Sequence, residues 1–107
     1  MAGTCTLIDS TLLHLMPAVP IGTRVIVFGS QARGDADSGS DLDLLVIEPE
    51  VSSRTDEMVR LSNLLGRHLI PADVVVISRK QYERQSEIPN TLAWRAKRDG
   101  REYELAR

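Results

Sequence analysis

The sequence predicts one α/β (α+β) domain in which helices pack against a small sheet. Two observations on the pattern support this: runs of β-branched apolar residues recur along the chain, and the segments between them carry apolar residues at helical spacing. The third is length, because 107 residues are the size of one domain. We therefore treat residues 1–107 as a single domain.

The apolar runs predict the strands. They are Thr23–Phe28, Asp41–Ile47 and Asp73–Ile77, followed by a short closing strand at Glu102–Leu105. The second and third runs are apolar almost without interruption, which is typical of strands that are buried on both faces. We therefore expect both of these strands at the centre of the sheet.

Helical segments separate the strands. Residues 6–16 have helical apolar spacing, and the pair Ser53 and Asp56 resembles a capping box that begins a second helix. The predicted apolar face of that second helix consists of Met58, Leu61, Leu65 and Leu69. Ser78 is the predicted N-cap of a polar helix, and Asn90 begins a last helix that ends near Arg98.

Composition excludes several classes of protein. A hydrophobic fraction of 42% and a charged fraction of 26% are those of a folded soluble chain, not of a disordered or collagen-like one. The net charge of −2 argues against a protein that coats nucleic acid. The lone Cys5 cannot form an internal disulfide, the N-terminus does not resemble a signal peptide, and the longest apolar runs are too short to span a membrane. We expect a soluble cytoplasmic protein.

Two aspartates at the start of the second strand are the most informative residues. Asp41 and Asp43 stand two residues apart, so their side chains leave the same face of the strand. At a separation of roughly 6.5–7 Å and an effective dielectric constant near 20, two ionised carboxylates repel by about 2–3 kcal/mol. A divalent cation removes that cost, and oxygen ligands select a hard ion such as Mg²⁺ or Mn²⁺.

Asp73 opens the third strand in an equivalent position. If the second and third strands pair, three carboxylates meet, which is the minimum set for two cations about 3.5–4 Å apart that clamp an in-line phosphoryl displacement. The alternative is structural: each aspartate can be a polar residue at the edge of a loop.

The end of the first strand carries a candidate anion site. Gly29 allows backbone N–H groups to approach an oxyanion, Ser30 adds a hydroxyl donor, and Arg33 can supply a positive charge. Residues 29–34 match neither the Walker P-loop nor the dinucleotide-binding glycine motif. An anion cradle beside a carboxylate trio suits a metal–triphosphate complex.

These motifs resemble a known superfamily. Gly29-Ser30, a gap of ten residues and then Asp41-Leu42-Asp43 is similar to the signature of polymerase-β-like nucleotidyltransferases. The segment Ala32-Arg33-Gly34 and the pair Ser40-Asp41 resemble those of the minimal nucleotidyltransferases, and the similarity extends to Asp73 and to the closing strand. The resemblance implies the polymerase-β-like core, a small mixed sheet of about four strands with helices packed against it.

The resemblance also implies roles for the acidic residues. Asp41 and Asp43 would hold the metals, with two Mg²⁺ ions expected and Mn²⁺ a possible substitute. Asp73 would complete one metal site and accept the proton of the attacking hydroxyl. The reaction would transfer a nucleoside monophosphate to an acceptor and release pyrophosphate.

The same resemblance implies a nucleotide site. Gly29 and Ser30 would bind the β- and γ-phosphates of ATP, and Ser40 is assigned to this site as well. Arg33 would either contact a phosphate or brace the loop.

Minimal nucleotidyltransferases often pair with a helical HEPN protein, which implies a partner for this chain. We expect an antitoxin that transfers AMP to a HEPN toxin, with the acceptor site completed by that partner or by a second copy. Two alternatives stay open: a non-catalytic module that neutralises a helical partner stoichiometrically, and a nucleotide-sensing regulatory domain.

Overall fold

The computed structural model of the protein describes residues 4–28 and 42–105. The helices of this part are α1 (Thr4–Leu15), α2 (Arg54–Arg67), α3 (Arg79–Gln85) and α4 (Leu92–Asp99), with a 3₁₀ turn at Met16–Ala18. The strands are β1 (Arg24–Phe28), β2 (Leu42–Glu48), β3 (Ala72–Ser78) and β4 (Arg101–Glu104). This order agrees with the predicted alternation of strands and helices.

The strands form a mixed sheet in the order β3-β2-β1-β4. Strand β2 pairs antiparallel with β1 and parallel with β3, and β1 also pairs antiparallel with β4. Helix α2 is the crossover that connects β2 to β3, as a parallel pair requires. The predicted fold class, a small mixed sheet with packed helices, is confirmed.

The prediction that both β2 and β3 are central strands is wrong for β3, which lies at one edge of the described sheet. Its apolar run reflects burial of its two faces: Val74 and Val76 pack on one side, and Ile77 packs on the other. Burial of both faces of a strand does not determine whether another strand pairs with each of its two edges. Arg54 on α2 donates its Nε–H to the carbonyl oxygen of Val76 at 2.9 Å, so a side chain satisfies one carbonyl of this edge strand.

Helices cover both faces of the sheet. On one face, α1 and α2 contribute Ile8, Leu15, Leu61 and Leu65 to a core that includes alternate residues of β1, β2 and β3. On the other face, α3 and α4 contribute the residues Tyr82, Ala93 and Ala96, which pack on Ile26, Leu45, Ile47 and Ile77. The sheet is therefore the middle of three layers.

The N-terminus of α2 confirms the sequence prediction, but its C-terminus does not. The Ser53 side chain accepts a hydrogen bond from the backbone N–H of Asp56 at 3.2 Å, which is N-cap geometry. Leu69, predicted on the apolar face of the helix, instead lies beyond the helix end with φ of 57° and is 89% exposed. Ile70, the residue that follows it, is buried in the core.

The two later helices begin close to their predicted residues. The Ser78 hydroxyl accepts from the backbone N–H of Gln81 at 3.1 Å, so this predicted N-cap is confirmed. The N-cap of α4 is Thr91, which accepts from the N–H of Trp94 at 3.1 Å, one residue later than predicted. Asn90 has φ of 73° and therefore belongs to the turn that precedes the helix.

Among the residues that the structure describes, no helix is long and apolar enough to cross a bilayer.

Candidate functional site

Two of the predicted carboxylates meet on adjacent strands. Asp43 on β2 and Asp73 on β3 are register partners in the parallel ladder. Neighbouring strands lie about 4.8 Å apart, and residues in register point to the same face of the sheet. Asp43 is half-buried and Asp73 is exposed, so the pair opens to solvent at the end of the sheet.

The register of β2 and β3 follows from local structure at their N-terminal ends. The backbone N–H of Leu42 donates to the carbonyl oxygen of Pro71 at 3.0 Å, which aligns the beginnings of the two strands. Pro71 has no N–H and ends the connection from α2, and β3 begins at the next residue, Ala72. Each aspartate is then the second residue of its strand.

The C-terminal end of β1 lies at the same end of the sheet. Phe28, the last residue of β1, is the antiparallel register partner of Asp43. The peptide bond after Phe28 leads directly to Gly29, the first residue of the predicted anion site. The sheet therefore brings the strand end that precedes the glycine–serine motif next to the carboxylate pair.

The remaining predicted site residues lie outside the described part of the chain, and their roles stay predictions. They are Gly29, Ser30, Arg33, Ser40 and Asp41. Within residues 4–28 and 42–105, no group of three or more acidic, histidine or cysteine residues is placed to hold a metal ion. The two described carboxylates, Asp43 and Asp73, offer only oxygen ligands, a donor set that fits a hard divalent cation such as Mg²⁺ or Mn²⁺.

A second acidic cluster at the opposite end of β2 was missed by the sequence analysis. Glu48, the last residue of β2, is only 3% exposed. It lines a cavity of about 290 Å³ whose other walls are Glu50, Val51, Ser52, Ser53, Asp56, Glu57 and Arg60. The sequence does contain a signal for this burial, because every second residue of a strand lies on the same face. Glu48 shares its face of β2 with the buried residues Leu42, Leu44 and Val46.

The pKa of Glu48 is raised to about 8, first by burial and then by a hydrogen bond with the adjacent Glu57 and repulsion from its charge. The pKa of Glu57 itself is lowered, first by its hydrogen bonds with Arg60. At neutral pH, therefore, Glu48 holds a proton and Glu57 is ionised, although both are glutamates.

Comparison with known proteins identifies the family. Residues 15–103 match the family model described as "Nucleotidyltransferase domain". A protein of Methanocaldococcus jannaschii named "Putative protein adenylyltransferase MJ0141" is 34% identical over 53 residues, which are 50% of this chain and 52% of that protein. The chain thus matches about half the length of this curated relative.

A solved structure shares the fold. A "putative nucleotidyltransferase" from Sulfolobus solfataricus superposes with a TM-score of 0.56 at 25% sequence identity, over 74% of this chain and 70% of that chain. The family match runs from the end of α1 into β4 and includes both aspartates of the carboxylate pair. The chain therefore belongs to the nucleotidyltransferase domain family.

Proposed function

We propose that this protein transfers AMP from ATP to a hydroxyl group of a protein acceptor in a Mg²⁺-dependent reaction. The observation that carries the proposal is the register of Asp43 with Asp73 beside the end of β1. Two ionised carboxylates at this spacing repel each other, and a divalent cation bound by them would offset that repulsion and neutralise the charge of a triphosphate substrate.

The transfer balances as an in-line displacement at the α-phosphorus of ATP. The acceptor hydroxyl oxygen forms a bond to that phosphorus, the bond to the bridging β-phosphate oxygen breaks, and pyrophosphate leaves. The exposed carboxylate of Asp73 accepts the hydroxyl proton. Asp43, together with Asp41, would hold the metal, which when bound supplies neutralisation of the charge that develops on the phosphate oxygens.

Ser30 and Gly29 are assigned to the β- and γ-phosphates in this proposal, with Arg33 and Ser40 as further members of the nucleotide site. The support is the spacing of these residues in the sequence and the connection of Gly29 to the strand end beside Asp43. The backbone N–H groups of such a bend stabilise phosphate oxygens that no longer contact water.

A protein acceptor is the finer part of the proposal. The M. jannaschii relative carries the name of a protein adenylyltransferase, and the resemblance to minimal nucleotidyltransferases points to a helical HEPN partner. An antitoxin that modifies its toxin is the corresponding biological role. We place the second half of the acceptor site on that partner.

The test combines the purified protein, ATP, Mg²⁺ and a HEPN protein from the same organism, followed by intact mass measurement of both chains. The expected result is a mass gain equal to one or more AMP groups on the partner and release of an equal amount of pyrophosphate. ATP binding with no pyrophosphate release would contradict transfer and indicate a nucleotide sensor. Neutralisation of the partner at stoichiometric dose with no mass gain would contradict it in favour of a non-catalytic binding module.

A further inference from the structure

One buried carboxylate has an oxygen atom that receives no hydrogen bond from the described residues. Glu48 is almost completely buried at the end of β2, and no N–H or O–H group of the described residues donates to its Oε2 atom. An ionised carboxylate in this position would leave a desolvated charge with an unsatisfied acceptor, which is among the most costly arrangements in a protein interior.

The neighbouring α2 residues explain how the arrangement is tolerated. Glu57 accepts two hydrogen bonds from Arg60, with Nε at 2.9 Å and Nη2 at 2.6 Å, so this carboxylate is ionised and bidentate. The same Arg60 Nη2 atom donates to the carbonyl oxygen of Ala18 at 2.7 Å. Arg60 thus donates its hydrogen bonds to Glu57 and to the 3₁₀ turn, and not to Glu48.

The other charged groups around the cavity do not change this balance. Glu50 on the loop after β2 and Asp56 in the first turn of α2 are both acidic and add negative potential. Arg54, also on α2, donates its Nε–H to the carbonyl oxygen of Val76. The N-terminus of α2, which is the positive end of the helix dipole, is stabilised by the Ser53 cap and by the acidic residues of the first turn.

We propose that Glu48 and Glu57 share one proton at neutral pH. This proton stabilises the packing of the end of β2 against the first turns of α2, and the packing is therefore sensitive to pH. Protonated Glu48 is the donor and ionised Glu57 is the acceptor. Loss of the proton leaves two ionised carboxylates in one cavity, and their repulsion loosens the start of the crossover helix.

The direction of the pH effect follows from linkage. The pKa of Glu48 is about 8 in the folded protein against an ordinary value of 4.5, so the folded state retains a proton that the unfolded state releases. The stability that Glu48 contributes is fully present below pH about 4.5 and is lost as the pH rises to about 8. Above that pH both states are ionised at Glu48, and its effect on stability is constant.

The test compares the wild-type protein with Glu48→Gln, in which an amide N–H donates to Glu57 without a titratable proton. We expect the variant to have the same melting temperature as wild type near pH 4.5 and a higher one at pH 8, with a gap of at least about 5 °C. Carboxyl ¹³C resonances should show Glu48 titrating with a midpoint near pH 8. At pH 9, amide exchange in residues 54–60 should be faster in wild type than in the variant.

The matched control is Glu50→Gln, which removes one carboxylate of the same cavity but from an exposed side chain. This control should follow the wild-type pH dependence. The proposal would be overturned if Glu48 titrated near 4.5, if Glu50→Gln opened the same gap, or if amide exchange in residues 54–60 were equal in wild type and Glu48→Gln. None of these readouts depends on nucleotidyl transfer, so the result is independent of the proposed function.

Discussion

At the scale of single residues, two carboxylate pairs in this protein show how environment decides chemistry. Asp43 and Asp73 lie at an open strand end, where a cation and solvent are accessible. Glu48 is buried at the other end of β2, and Glu57 on α2 lines the same cavity and is bound by Arg60. The first pair fits a metal site, and the second fits a shared proton.

The substitution Asp73→Asn tests the residue assignment within the proposed reaction. In the proposed reaction it removes the proton acceptor and one metal ligand, and it preserves the shape of an exposed side chain. Because several kcal/mol of charge stabilisation depend on such ligands, and each ~1.36 kcal/mol is tenfold in rate, we expect pyrophosphate release to fall by at least about 100-fold. Stopped or continuous pyrophosphate assays with saturating Mg²⁺ and ATP measure it.

Asp9→Asn is the control for that substitution, because Asp9 is an exposed acid on α1. Its rate should stay within about twofold of wild type, as surface substitutions rarely alter the folded state by more than ~0.5 kcal/mol. A rate for Asp73→Asn equal to that of Asp9→Asn would remove Asp73 from the reaction.

At the scale of elements, the hydrogen bonds that end α2 determine the position of Leu69, although its spacing in the sequence predicted a place on the apolar face of the helix. The N–H of Leu69 donates to Gly66 at 3.0 Å and the N–H of Ile70 donates to Leu65 at 2.9 Å, which is the hydrogen-bond pattern of a Schellman motif. Ile70 and Leu65 pack in the same core, as this motif favours. The motif places Leu69 in the left-handed region, where the chain reverses toward β3.

Leu69→Gly is predicted to stabilise the protein by about 1 kcal/mol. A residue with a Cβ is disfavoured in the left-handed region by roughly 1–2 kcal/mol, and Leu69 is 89% exposed, so the substitution removes little packing. Chemical denaturation measures the change in the free energy of unfolding.

The opposite sign is expected for Leu13→Gly, which makes the same chemical change at an exposed position inside α1. Glycine there costs roughly 1 kcal/mol because the helical backbone is ordered at a greater loss of entropy. If both substitutions destabilised the protein equally, the strain at Leu69 would be disproved.

At the scale of the whole molecule, the sheet separates two sites along its length. The carboxylate pair lies where β1 ends and β2 and β3 begin, and the shared-proton cavity lies where β2 ends and α2 begins. Helices cover both faces, so the strand ends are the places where functional side chains can reach solvent.

Ligand binding should be visible in the stability of the whole domain. A ligand at 100 times its dissociation constant stabilises the folded state by about 2.7 kcal/mol, which raises the melting temperature of a domain of this size by about 10 °C. We expect this rise with Mg²⁺ and ATP together, measured by differential scanning fluorimetry. The double variant Asp43→Asn/Asp73→Asn should lose most of it, because the cation would then lack two of its proposed ligands.

Addition of ATP without Mg²⁺, in the presence of a chelator, is the matching control. A rise of equal size under that condition would contradict a metal-linked nucleotide site at the carboxylate pair.

Local patterns in the sequence were enough to predict the fold class, the strands along the chain and the capping residues Ser53 and Ser78, and they singled out Asp43 and Asp73 as candidates. These are local properties: periodicity, turn chemistry and the position of a charge beside an apolar run are properties of neighbouring residues. They required no knowledge of which strands pair.

Other features depend on contacts between segments that are distant in the sequence, and only the folded structure shows them. It placed β3 at an edge and brought Asp43 into register with Asp73. It also buried Glu48 in a cavity that Glu57 lines. An apolar run specifies that a strand is covered, but strand order depends on the free energy of the whole packed sheet. A glutamate's proton affinity likewise depends on desolvation and neighbouring charges that exist only after folding.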